Sequence, residues 1–224
     1  MKAKATKNLN LHIHPKNLIA GLVVLAYAHV LLRPDFYPST HTTALALTGL
    51  ALVGLPFVIE RLLHIHIPTA LFVAFLLFVL GGIYIGHFRA FYINVSHWDN
   101  FLHFMSGVFA ALIGFSVIKL LRRAKSIHRS EAGFYAFASL TLGLASAAVW
   151  EIFEFLLDLT IGSNSQRHHI AGAAEALCGQ AALHDTMTDI ITAAIGALIM
   201  SLIGYYAIKH SRNWLNRFLI TPAK

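Results

Sequence analysis

Acidic side chains recur at helical spacing beside three long apolar segments of this sequence. With one histidine they form three groups: Asp99, His103; Glu151, Glu154, Asp158; Asp185 and Asp189. Within each group the spacing is three or four residues, and residues three or four apart share one face of a helix. Carboxylate oxygens combined with an imidazole nitrogen are ligands that suit Zn, Mn, Fe or Mg. The spacing therefore predicts three polar helix faces that could together hold a divalent metal ion.

Neutralisation of these carboxylates has three possible solutions. Carboxylates at close quarters cannot all stay ionised without compensation, and fixed positive charge nearby is limited to Arg89 and Arg167. A divalent metal, or a pair of metals, could bind them; protons could be shared among them, as in proton relays; or they could form a structural polar network. The metal site is the leading hypothesis, and its predicted ligands are Asp99, His103, Glu151, Glu154, Asp185 and Asp189.

The composition indicates the class of protein that must position these residues. Of the 224 residues, 57% are hydrophobic and 12% are charged, against about 25% charged in soluble domains. Crossing a bilayer takes about 20 mostly apolar residues. Six segments approach or reach this length: Asn17–Leu32, Thr42–Ile59, Pro68–Ile85, Phe101–Leu121, Phe134–Leu157 and Met187–Ile208. The sequence therefore predicts an all-α polytopic membrane protein, one integral domain over residues 1–224, with six transmembrane helices and an external loop at 158–186.

The positive charges predict the orientation in the membrane. Lysines and arginines precede the first apolar segment and follow the second, fourth and sixth, whereas the alternate loops hold only Arg33, Arg89 and Arg167. This is the positive-inside bias, which predicts that both termini are cytoplasmic. Because the basic residues are scattered over separate loops, the net charge of +7 does not indicate nucleic-acid binding.

Small residues continue the polar faces into the last three apolar segments. They are Gly107, Ala111, Gly114; Gly143, Ala147; Ala193, Gly196 and Ala197. In lipid, small residues allow helix backbones to approach closely, because packing must replace the hydrophobic effect. We therefore expect the last three helices to pack tightly together, and this packing would bring their acidic ends together as well.

Three short motifs occur in order along the chain. An Asp-x-x-x-His spans 99–103, a Trp-Glu-x-x-Glu spans 150–154 and an Asp-Thr-x-x-Asp spans 185–189. As a set they resemble the YjdF-like family of uncharacterised bacterial inner-membrane proteins, over roughly Asp99–Gly204. The resemblance implies a bacterial plasma-membrane location and strengthens the grouping of the six predicted ligands. It implies no reaction.

The sequence supports one leading function and two rivals. A metal at interfacial depth could activate water or polarise a phosphoryl or carbonyl oxygen, with Glu151 or Glu154 as general base. This predicts a metal-dependent hydrolase or transferase acting on a membrane lipid or a lipid-linked substrate. The rivals are a cation- or proton-coupled transporter, which needs a polar path across the membrane, and a non-catalytic scaffold. Neither the choice between enzyme and non-enzyme nor the oligomeric state follows from the sequence.

Overall fold

The computed structural model describes residues 15–33, 40–170 and 175–223, which are mostly helical. The α-helices of these residues are Pro15–Leu31 (α1), Thr40–Leu63 (α2), Thr69–Val79 (α3), Phe91–Asn94 (α4), Trp98–Leu121 (α5), Ala132–Ile161 (α6) and Gln180–Lys209 (α7). Helix α3 continues as a π-helix, Leu80–Phe88, and 3₁₀ turns occupy Arg129–Glu131 and Asn213–Arg217. The two-residue strands Ile65–His66 (β1) and Thr221–Pro222 (β2) pair in antiparallel fashion.

In the described part of the chain, five helical segments are long and apolar enough to cross a membrane. They are Thr40–Leu63, Thr69–Phe88, Trp98–Leu121, Arg129–Ile161 and Gln180–Lys209. The predicted first span coincides with α1, which is apolar but has 17 residues. At about 1.5 Å per residue α1 is roughly 25 Å long, slightly less than the hydrocarbon core of a bilayer. The expectation of a helical chain with several segments of spanning length is confirmed.

The helices on either side of the predicted external loop are longer than the sequence indicated. Helix α6 ends at Ile161, four residues beyond the predicted Leu157, and α7 begins at Gln180, seven residues before the predicted Met187. The loop between them is therefore 162–179 rather than 158–186. A segment predicted from hydropathy stops at the first polar residues. A helix continues through polar residues as long as they have reasonable helix propensity.

Helices α5, α6 and α7 pack closely through their small residues, as predicted. A Cβ atom added at Gly107 would collide with the backbone of Ala193, and one added at Gly143 would lie 2.5 Å from the Cβ of Ala197. A Cβ at Gly196 would meet the carbonyl oxygen of Phe104. The three backbones can approach this closely only because these positions lack side chains. This contact sets the register of α5 against α7.

The first three helices form a second packed cluster. The side chain of Tyr27 in α1 is fully buried, its ring lies against Gly49 of α2, and its hydroxyl donates a hydrogen bond to the Val79 carbonyl at 3.0 Å. This single side chain thus joins α1, α2 and α3, so the short α1 is an integral part of the bundle.

The end of the bundle where α5 and α7 finish is tied together by polar contacts. The buried Lys16 forms an ion pair with Glu60 at 2.8 Å, and the same carboxylate accepts the Ile67 amide at 2.7 Å. The amide of Ile220, in the C-terminal segment, donates to the hydroxyl of Ser116 in α5 at 3.1 Å. The C-terminal segment is therefore packed against the bundle at the end opposite to the predicted site.

Candidate functional site

A His103-centred cluster lies where α5 and α7 begin. Asp99 is in the first turn of α5, His103 follows one turn later, and Asp189 faces them from α7. The His103 Nε2 atom is 3.6 Å from Asp99 Oδ1 and 3.5 Å from Asp189 Oδ2. Asp189 is 2% exposed. The close contact of α5 with α7 at Gly107 carries Asp189 to the height of His103.

The three side chains lie close enough together to be candidate ligands of one metal ion. One ligand atom from each of Asp99, His103 and Asp189 lies within 4.8 Å of the other two. Ligand atoms around a metal at about 2.1 Å are roughly 3.0–3.4 Å from one another. The N–O distances of 3.5 and 3.6 Å are near that range and longer than ordinary hydrogen bonds. Small side-chain movements would thus allow all three atoms to contact one cation.

Arg167 enters the site from the loop between α6 and α7. Its guanidinium is 2.7 Å from Asp99 Oδ2 and 3.4 Å from Asp185 Oδ1. The arginine is half-exposed, whereas both carboxylates are largely buried. The other oxygen of Asp185, Oδ2, is buried and has no hydrogen bond from the described residues. Arg167 therefore supplies positive charge to the outer edge of the cluster.

The two glutamates of α6 form a second tier around this cluster. Glu151 is 5% exposed; its Oε2 accepts a hydrogen bond from Gln166 at 3.3 Å, while its Oε1 is buried without a well-formed hydrogen bond from the described residues. Glu154 accepts the indole N–H of Trp150 at 2.8 Å. Both glutamates interact electrostatically with Asp99. Among the described residues, however, neither forms an ion pair or hydrogen bond with His103.

Asp158 organises the loop that carries Gln166 and Arg167. Its carboxylate accepts hydrogen bonds from the Ser163 hydroxyl, the Ser165 amide at 2.7 Å and the Gln166 amide at 3.0 Å. The sequence grouped Asp158 with the acidic stripe of α6, but its described contacts are to the loop. Asp158 acts on the site indirectly, because it holds the backbone from which Gln166 and Arg167 reach the carboxylates.

Tyr92 is a neighbour of the cluster that no sequence motif indicates. It lies in the short helix α4, where its ring packs against Gly86 of the π-helix and lies 4.9 Å from the His87 ring. Burial raises the pKa of the Tyr92 hydroxyl, and the nearby negative charges of Asp99 and Glu154 raise it further. Tyr92 is therefore a neutral phenol beside the carboxylates. An isolated tyrosine between two apolar segments carries no sequence signal for this position.

Comparison with known proteins gives a family and no activity. The sequence model of the family described as "Predicted membrane protein (DUF2238)" matches residues 18–210, a range that contains all three motifs. A Thermotoga maritima protein named "Uncharacterized protein" is 29% identical over 153 residues, which are 67% of this chain and 69% of that protein. No solved structure matches. The expectation of an uncharacterised membrane-protein family is confirmed, whereas these matches do not confirm the YjdF-like name.

Proposed function

The chain belongs to the DUF2238 family of predicted membrane proteins, and from this premise we propose that it binds a divalent metal ion where α5 and α7 begin. The observation that carries the proposal is the convergence of Asp99, His103 and Asp189, whose ligand atoms lie within 4.8 Å of one another. These residues come from two helices, and Asp99 and Asp189 are 90 positions apart in the chain. Their donor set, two carboxylates and one imidazole, suits Zn, Mn, Fe or Mg.

Two further carboxylate oxygens support a cation at this position. Glu151 Oε1 and Asp185 Oδ2 are buried without a well-formed hydrogen bond from the described residues. A buried polar atom without a partner costs about 1–3 kcal/mol, and more if the group is charged. A metal ion near His103 would offset that cost by attracting both groups. Glu151, Glu154 and Asp185 are then outer ligands or neighbours of the metal, and Asp99, His103 and Asp189 are its primary ligands.

The surroundings of Glu154 favour a membrane lipid, or a lipid-linked molecule, as the substrate. Glu154 accepts a hydrogen bond from Trp150, which is 51% exposed, and the adjoining surface of α6 exposes Phe153 and Leu156. Such an apolar surface beside a polar site gives a lipid headgroup access from the bilayer. A bound metal would supply Lewis-acid activation of water or of a phosphoryl or carbonyl oxygen. Glu151 or Glu154 would act as general base, which makes the protein a hydrolase or transferase.

The proposed arrangement in the membrane has six spans, with α1 as the first. Its burial against α2 and α3 through Tyr27 supports its inclusion despite its length. With the basic residues at the cytoplasmic side, both termini are cytoplasmic and the metal site opens to the outer face of a bacterial plasma membrane. The loop 162–179, which carries Arg167, is then external.

Transport is disfavoured by the packing below the site. The direct route from His103 to the opposite end of the bundle runs along the contact between α5 and α7. At that contact a Cβ added at Gly107 would collide with the Ala193 backbone, and one added at Gly196 would collide with the Phe104 carbonyl. The ion pairs of Arg167 favour a different second candidate, a structural network in which the arginine and protons neutralise the carboxylates.

The deciding measurement is the metal content of detergent-purified protein, made without a histidine tag. We expect about one equivalent of a divalent metal in the wild type, and its loss in the His103→Gln, Asp189→Asn double variant, because two of three primary ligands are removed. The matched control is Glu175→Gln, which removes an exposed carboxylate outside the cluster. If the wild type stays metal-free after incubation with Mn, Zn, Fe and Mg, the metal site is refuted. That result would support the structural network in which Arg167 and protons neutralise the carboxylates.

A further inference from the structure

A cavity of about 510 Å³ lies at the other end of α5, between this helix end and the C-terminal segment. Its cationic lining consists of Lys119, Arg123 and Lys125, and its apolar lining includes Leu120, Ile220 and Pro222. Lys119 is 16 residues from His103 along α5, which corresponds to roughly 24 Å. The cavity is therefore separate from the metal site and rests on different residues.

The three cations of this cavity have no carboxylate partner in the described part of the chain. Among the described residues, no carboxylate forms an ion pair with Lys119, Arg123 or Lys125. The neighbouring Arg122 differs in this respect, since it forms an ion pair with Glu131 at 2.7 Å. A cluster of cations that the described residues leave without counter-charges favours an anionic ligand.

The position of the cavity identifies the class of anion. The spanning segment of α5 ends at Leu121, so the cavity lies at the level where lipid headgroups begin. Basic pockets between transmembrane helices recognise phosphate-bearing headgroups. The apolar residues Leu120, Ile220 and Pro222 give the start of an acyl chain a surface to contact. We propose that this cavity, which we call the cationic cleft, binds the headgroup of an anionic membrane phospholipid.

The test compares two double variants of the full-length protein. Arg123→Gln, Lys125→Gln removes two cations of the cleft; Arg61→Gln, Lys209→Gln removes two cations from helix ends on the same side that do not line it. Each cation near an anionic lipid contributes on the order of fivefold in affinity, so the cleft variant should bind phosphatidylglycerol about 25-fold more weakly. The control should stay within about twofold of the wild type. Native mass spectrometry with phosphatidylglycerol or phosphatidylcholine as the probe measures both.

Three outcomes would overturn the proposal. An equal loss in the control variant would mean a diffuse surface charge, and equal wild-type binding of phosphatidylcholine would mean no selection for an anionic headgroup. Inorganic phosphate that binds the lipid-free protein and displaces phosphatidylglycerol would identify a free-anion site instead. The phosphatidylcholine comparison uses wild-type protein, so it remains decisive even if a variant folds poorly. The metal content of the cleft variant should be unchanged, which keeps this test separate from that of the metal site.

Discussion

The guanidinium of Arg167 forms ion pairs with Asp99 of α5 and Asp185 of α7. Its positive charge therefore reduces the repulsion between these two carboxylates. It reaches them from a loop residue with a left-handed backbone, at φ 46°. A metal bound by Asp99 and His103 would share the negative charge of Asp99 with this arginine. At the residue scale, Arg167 and the proposed metal therefore act on the same carboxylates and partly substitute for each other.

Replacing Arg167 with Gln should make the protein depend on the metal. Without metal, the variant should lose on the order of 1 kcal/mol of stability, because Arg167 is half-exposed and exposed ion pairs contribute little. Added metal should then raise the melting temperature of the variant more than that of the wild type. Thermal unfolding in detergent, with and without the metal found in the purified protein, checks both statements. If metal stabilises neither protein, then Arg167 belongs to a purely structural network.

Helix packing positions the cluster at the scale of whole elements. Gly107 and Gly196 allow the backbones of α5 and α7 to touch, and this contact places Asp189 opposite His103. Helices that pack through small residues in lipid have few other interactions to hold them in register. A side chain introduced at this contact must therefore displace a helix rather than a neighbouring rotamer.

Changing Gly107 to Ala should both destabilise the bundle and disturb the site. The new methyl group would collide with the Ala193 backbone, and overpacking of this kind costs about 1–3 kcal/mol. The variant should show a lower melting temperature and reduced metal binding, because α5 and α7 move apart. The control is Gly21→Ala in α1, where a Cβ meets nothing within 4 Å and a neutral or slightly stabilising effect is expected. Equal melting temperatures for the two variants would contradict this account of the contact.

At the scale of the whole molecule, the two ends of the bundle carry opposite charges. One end carries the carboxylates and His103, and the other carries the cationic cleft with Lys119, Arg123 and Lys125. The positive-inside rule predicts that the basic end faces the cytoplasm. The same asymmetry would direct divalent cations to one membrane face and anionic headgroups to the other.

Cysteine labelling tests this orientation directly. Cys178 is exposed in the loop between α6 and α7, so a membrane-impermeant maleimide should label it in intact cells. In a Cys178→Ser, Ser126→Cys variant the cysteine lies in the loop between α5 and α6, and labelling should require permeabilised cells. Labelling of both in intact cells would rule out the alternating arrangement, and the reverse pattern would invert the protein in the membrane.

The sequence by itself determined the class of the protein and predicted the carboxylates and the histidine of the candidate site. Long apolar runs commit the backbone to helices because every peptide group must be hydrogen-bonded locally in lipid. The spacing of Asp99 and His103 placed them on one helix face, and Gly107 and Gly196 indicated which faces meet. These features are local or periodic, so they can be recognised without knowledge of the tertiary structure.

The tertiary structure alone decided which members of the set come within ligand distance. It brought Asp99, His103 and Asp189 together and left Glu151 and Glu154 in a second tier. It also placed Arg167 at the cluster, through a loop that Asp158 holds by three hydrogen bonds. Tyr92 lies near the cluster because its ring packs against Gly86 of the π-helix. Loop conformation and helix register arise from contacts between residues far apart in the chain, and such contacts have no periodic signature in the sequence.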